Sequence, residues 1–265
     1  MATIVGSGQT SLEKVQAMYR RGTDCFGPQE LRQIGIEVAD VPPIPLSEKM
    51  LAHLRTLGVS LEWHDGQETM QSLHDRLGNK LGEGKLLYNT DWYGGDPFYT
   101  EEKSAVAHWR VVTKGLVPDS IGKKYLPQTR VLAEYLKNRV FAGQSLPEKF
   151  RLAIEELNDR EKELTELVGV DWNKGGEQVV KLAVNQLCRG TAGQSLYGIA
   201  LHKAVNDEYL FPGLWDWTNS RSSGGDLVFV GRSGERGVRV GGYGPGDSDF
   251  NLGVRFSCSA EDLAT

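Results

Sequence analysis

Residues Trp215 to Ser257, WDWTNSRSSGGDLVFVGRSGERGVRVGGYGPGDSDFNLGVRFS, limit what this chain can fold into more than any other stretch. An apolar skeleton of Trp215, Trp217, Leu227, Val228, Val230, Val238, Val240, Leu252, Val254 and Phe256 alternates with Gly, Ser, Arg and Asp. Alternation at period two is the mark of half-buried strands, and the interspersed glycines mark turns and tight corners. The outward vocabulary is narrow. Between Asn219 and Asn251 there is no Lys, Gln, Met, Trp or His, and Glu235 is the one Glu; the last Lys of the chain is Lys203.

The 265 residues suffice to bury a sizeable core. Thirty-two glycines are well above the usual share of roughly 7%. A formal charge of −5 argues against a general nucleic-acid binder, although Arg221, Arg232, Arg236, Arg239 and Arg255 cluster locally. Cys25, Cys188 and Cys258 make no CxxC pair, and reduced thiols in a reducing compartment are the expectation. The opening MATIVGSGQTSLEK carries no charged segment followed by an apolar run, and no stretch approaches the length of a membrane helix. These features read as a cytoplasmic chain without membrane insertion, released or phage-associated only by another route.

Helical spacing predicts helices over Ser11–Arg21, Pro28–Gly35 and Ser47–Gly58, with Ser11 as an N-cap and Gly35 and Gly58 as stops. The stretch VPPIP from Val41 to Pro45 is a stiff connector. Residues 1–58 read as an N-terminal helical subdomain and 59–265 as the main domain. Val59–Trp63 and His108–Lys114 suit strands, Gln67–Leu77 a helix and Asp91–Pro97 a loop. Pro127–Phe141, Pro147–Val168, Gly176–Arg189 and Ser195–Val205 read as helices, the second with one densely charged face. The class is α+β.

Motifs for chemistry are sparse. The GSG at Gly6–Gly8 lacks a preceding strand and a following GK[ST], and GGYGPGD at Gly241–Asp247 has no Lys and reads as a turn. His64, Asp65 and His74 lack further metal ligands at helical spacing. Counting twelve from Asp247 in the DSD stretch gives Cys258 where an EF-hand needs Glu. No GxSxG occurs, and no His lies near Cys188 or Cys258 in sequence. Trp215 and Trp217 share one side of a strand and read as core anchors, with Asp216 facing the other way.

The skeleton WDWT, LVFVG, GVRV, P and LGVRFS, with HWRVVTKGLVPDSIGKKYLPQT upstream, resembles variable proteins diversified by retroelements (diversity-generating retroelements), over roughly Ser60 to Ser257. The resemblance implies a C-type lectin fold of the variety shared with formylglycine-generating enzymes, here with several added helices and a C-terminal antiparallel sheet. Mutagenesis in that family acts on template adenines, often in Asn codons, which reaches Gly, Ser, Arg, Asp, Tyr, Phe and Val but not Lys, Glu, Gln, Met or Trp. Glu235 departs from that pattern.

Carried onto this chain, the resemblance implies ligand-binding variable positions at Ser220, Ser222, Gly224, Asp226, Phe229, Arg232, Gly234, Arg236, Arg239, Gly241, Gly244, Asp247, Asp249, Phe250, Asn251 and Arg255. Strand alternation projects Phe229, Arg239 and Arg255 away from the core face; the alternative for Phe229 is a sheet buried on both faces. The implied function is non-enzymatic recognition of a protein or other macromolecular ligand, without catalytic residues, cofactor, metal or nucleic acid. One rival is a formylglycine-generating-type oxidase, which needs paired cysteines near the last strands. Another is a structural or assembly protein docking through the charged helix.

Overall fold

The computed structural model describes residues 8–38, 41–78, 85–103 and 107–264. Of the Gly6–Gly8 motif, all but Gly8 lies outside the described residues. The chain is α+β, with its elements in this order: α1 (Leu12–Met18), β1 (Cys25–Phe26), α2 (Pro28–Gln33), α3 (Glu48–Thr56), β2 (Val59–His64), α4 (Met70–Leu77), α5 (Pro97–Thr100) and β3 (His108–Thr113). Then come α6 (Tyr125–Tyr135), running into a π-turn over Leu136–Val140, α7 (Glu148–Val170), α8 (Trp172–Val180), α9 (Ala183–Cys188) and α10 (Ala192–Asn206). Strands β4 (Trp215–Arg221), β5 (Leu227–Gly231), β6 (Arg239–Tyr243), β7 (Leu252–Gly253) and β8 (Ser257–Ser259) follow, with a final helix α11 (Ala260–Leu263).

Local signals account for most boundaries. The Ser11 and Ser47 side chains accept from the amides of Lys14 and Met50, capping α1 and α3. Gly35 and Gly58 follow α2 and α3 with φ of +73° and +69°, a backbone that side-chain-bearing residues rarely adopt. The helix expected over Gly176–Arg189 is two helices. Its first part begins at Trp172, capped by Asp171, and the break falls at Leu182, whose ψ is 133°. The side-chain amides of Asn185 and Gln186 donate to the carbonyls of Val179 and Val180, taking acceptors that a continuous helix would use.

Two four-stranded sheets organise the molecule. One has the order β1-β2-β3-β8 and the other β6-β5-β4-β7. The second is mixed, not the wholly antiparallel C-terminal sheet expected: β4, β5 and β6 are antiparallel, but the short β7 joins β4 in parallel. Strand β1, from the stretch read as an N-terminal unit, pairs with β2. Helix α10 is buried along most of its length, as a helix that is apolar nearly all round must be. It touches both sheets: Tyr197 donates to the Trp63 carbonyl on β2, and Ser195 donates to Asp216 on β4.

A buried polar network crosses between the sheets. Arg255 lies in the connector from β7 to β8. Its Nε donates to the Thr113 carbonyl at 2.8 Å, its backbone amide donates to Asp216 at 2.9 Å, and its guanidinium stands 3.7 Å from Glu62. Burial alone would raise the Glu62 carboxyl, but the His64 hydrogen bond and the Arg255 charge outweigh it and bring it to about 2. Burial lowers His64 and His202 to about 4, so both are neutral at pH 7.

Candidate functional surface

The register of the second sheet sets Trp217, Phe229 and Gly241 side by side on one face. Trp217 is fully buried against Tyr125 of α6, with ring centres 5.2 Å apart. The sheet is open beyond that point. Trp215, Phe229 and Tyr243 form a continuous aromatic row, with 4.9 Å between successive ring centres. Gly241 makes room for it: a Cβ there would stand 2.2 Å from the Phe229 ring.

The turn from β5 to β6, GRSGERG, is pinned from below. The Arg232 amide donates to the Leu214 carbonyl, and the Ser233 hydroxyl donates to the Leu210 carbonyl. Gly237 has φ of +102°, and a Cβ there would collide with the backbone of residues 85–88. That close approach lets Val238 and the segment at Leu86–Tyr88 exchange backbone hydrogen bonds. Tyr88 is thereby fixed beside β6 and receives two guanidiniums, Arg239 at 4.9 Å and Arg236 at 5.6 Å from the ring centre. Arg232 stands 5.6 Å from the Trp215 ring. Each ring contact of this kind contributes about 0.5–1 kcal/mol at an exposed site.

Aromatic side chains from other segments border this area. Trp92, 49% exposed, lies over Gly242 on the face opposite the aromatic row, and Trp172, 45% exposed, lies over Gly244. Phe250 is 84% exposed, next to Asn251, whose carbonyl accepts from the Trp215 amide. Tyr88, Trp92 and Trp172 were not among the residues singled out in the sequence. Their only signal there was an aromatic side chain at an irregular or helix-starting position.

The sixteen expected positions separate into two groups. Arg232, Arg236, Asp247, Phe250 and Gly224 are exposed, and Asp226, Gly234, Arg239, Gly241, Gly244 and Asp249 are partly exposed. The other five, expected at the surface, are interior. Ser220 is buried, donating to Glu102 and accepting from the Ala192 amide. Ser222 is buried and caps its own turn by accepting from the Asp226 amide. Asn251 is buried with its amide on the Gly213 carbonyl. Arg255 is 2% exposed, because the β7–β8 connector runs between the two sheets and has no free face. Phe229 is 5% exposed: it shares its face with the core residue Trp217, Trp215 and Tyr243 close over it, and every residue of β5 is buried, so the sheet is covered on both faces there, the alternative to the outward projection expected for it. The Trp pair also divides, Trp217 entering the core and Trp215 staying half-exposed, with Asp216 on the opposite face as expected.

Other chemistry-bearing groups lie elsewhere. Among the described residues no group of three or more His, Cys, Asp or Glu side chains is placed to hold a metal. Cys188 and Cys258 are brought into thiol–thiol contact between α9 and β8, both fully buried. That contact and burial raise the Cys188 thiol well above its ordinary range. The charged face of α7 is self-paired, Arg151 with Glu148 and Glu155, and Arg160 with Glu156. Among the described residues no helix is long and apolar enough to cross a membrane. No protein-family model, curated protein or solved structure matches the chain.

Proposed function

We propose that this chain is a non-enzymatic ligand-binding protein on a C-type-lectin-type fold, its C-terminal surface diversified by retroelement mutagenesis to recognise a macromolecular ligand. One observation carries the reading. The segment with the narrow vocabulary is also the segment that builds a sheet whose last strand, β6, and adjoining turns carry exposed and partly exposed arginines and aromatic rings. A buried skeleton holds the backbone, so residues at Arg232, Arg236, Arg239, Asp247 and Phe250 can change without disturbing the core. Exposed aromatic and Arg side chains on a fixed frame are the composition of recognition surfaces. The antiparallel β4-β5-β6 unit and the added helices agree with the α+β form of the fold. The test is the genomic neighbourhood: a reverse transcriptase beside an imperfect copy of the Trp215–Ser257 coding segment, differing at adenines. A locus with neither would overturn the diversified reading.

The contact between Cys188 and Cys258 favours a second reading, the oxidase that shares the fold. Two thiols fit a soft metal in number, but both are fully buried and the Cys188 thiol is held protonated. That environment suits inert core cysteines rather than a site substrate must reach.

A further inference from the structure

Building on the binding reading, we propose that Arg232, Arg236 and Arg239 form a carboxylate-reading cluster, and that the partner of this surface is a protein presenting an acidic segment. The case rests on how differently the arginines of one short segment are used. Arg221 donates to Gly225 and Asn173, and Arg255 donates to Thr113 beside Glu62. On the helices, Arg130, Arg151 and Arg160 are each paired with Glu. Arg232, Arg236 and Arg239 have neither a side-chain hydrogen bond nor an ion pair among the described residues; what holds them is the face of Trp215 or Tyr88.

A guanidinium beside a ring and without a hydrogen-bond partner keeps its planar fork of N–H donors available for a carboxylate to dock bidentately. Two such forks share Tyr88 and the third lies across the aromatic row on Trp215, so acidic groups spaced along an extended segment can meet all three. The partly exposed rings of Trp215 and Tyr243, packed on Phe229 beneath them, supply apolar area beside them. A nucleic-acid backbone fits less well. The chain carries −5 overall and Glu235 lies in the same turn, so a continuous polyanion would meet repulsion over a longer stretch than a short acidic segment does.

The experiment is selection of displayed random peptides on the full chain and, in parallel, on the triple variant Arg232→Gln, Arg236→Gln, Arg239→Gln, checked for unchanged Tm. The expected result is enrichment of Asp and Glu on the full chain that is absent from the variant's pool. Selected peptides should bind the variant about tenfold or more weaker, and Tyr88→Ala should weaken them as well. Peptides enriching without acidic residues would overturn the carboxylate cluster while leaving a binding surface. Failure of any peptide to enrich would overturn both. Tighter binding of a single-stranded oligonucleotide than of any selected peptide would overturn the choice of a protein partner.

Discussion

Glu102 shows how one partly buried carboxyl ties the C-terminal sheet to the helix beside it. Its side chain accepts from the Ser220 hydroxyl on β4, which in turn accepts from the Ala192 amide at the start of α10. Burial raises Glu102 to about 7, against the effect of that hydrogen bond. A folded-state value above the ordinary 4.5 means that folding favours the protonated form. The contribution to stability is full below about pH 4.5 and is lost as pH rises through 7. Glu102→Gln is therefore expected to raise stability at about pH 8 by roughly 2–3 kcal/mol and to change little near pH 4, measured by thermal melts across pH. Equal shifts at both ends would refute the assignment. Burial acts on Cys25 and Cys188 in the same direction. Cys25, Cys188 and Cys258 are buried, and Cys25 is pushed up to about 12 by burial and by Glu30. A thiol reagent should leave all three untouched in the folded protein and modify all three in denaturant. Rapid reaction of Cys188 or Cys258 under native conditions would reopen the oxidase reading.

At the scale of elements, the sheet couples positions that sequence alternation treats as independent. Phe229 and Gly241 are directly opposed, and the ring occupies the place of a Cβ at 241. Gly241→Ala should cost about 1–3 kcal/mol, and most of that cost should vanish in a Phe229→Ala background. Additive losses in denaturant titrations of the two single variants and the double would contradict it. Legibility follows the same line. Period-two alternation revealed the skeleton, and Leu227, Val228, Val230, Val238, Leu252, Val254 and Phe256 are all buried. Alternation cannot tell a strand with one wet face from a connector between two sheets, so Arg255 was assigned to solvent. Nor can it show contacts between distant segments, so Tyr88, Trp92, Trp172 and Glu102 went unnoticed. The helix break at Leu182 was hidden because two side-chain amides, not a Gly or Pro, supply the alternative hydrogen bonds.

In the whole molecule, Arg255 is the joint between the sheets, through Thr113 and Glu62 on one side and Asp216 on the other. Its Nη2, paired with Glu62 at 3.7 Å, has no hydrogen bond and stands at a small pocket of about 10 Å³ lined by Glu62, Arg110, Ser195, Asp216 and Ser257, room for about one water. Glu62, at about 2, and His64 and His202, at about 4, all lie below their ordinary values. Their contribution is full above about pH 6.5 and is lost as pH falls, first through the histidines and then through Glu62. This is opposite in sign to Glu102, whose loss between about pH 4.5 and 7 offsets part of the histidines' gain over the same range, so stability should rise with pH through the acid range and level off near pH 7. Variants at the arginines then sort by depth. Replacing Arg232, Arg236 and Arg239 by Gln should move Tm little, because their ring contacts are exposed. Arg255→Met should cost about 3–5 kcal/mol by leaving Glu62 charged in the interior with only its hydrogen bonds to Ser60 and His64. Adding Glu62→Gln should recover a large part of that loss, since the stranded charge, rather than the missing contact, is what destabilises the single variant. Denaturant titration of the three proteins decides the matter. A double variant no more stable than Arg255→Met alone would show that Arg255 joins the sheets through packing and its bond to Thr113, not through its charge.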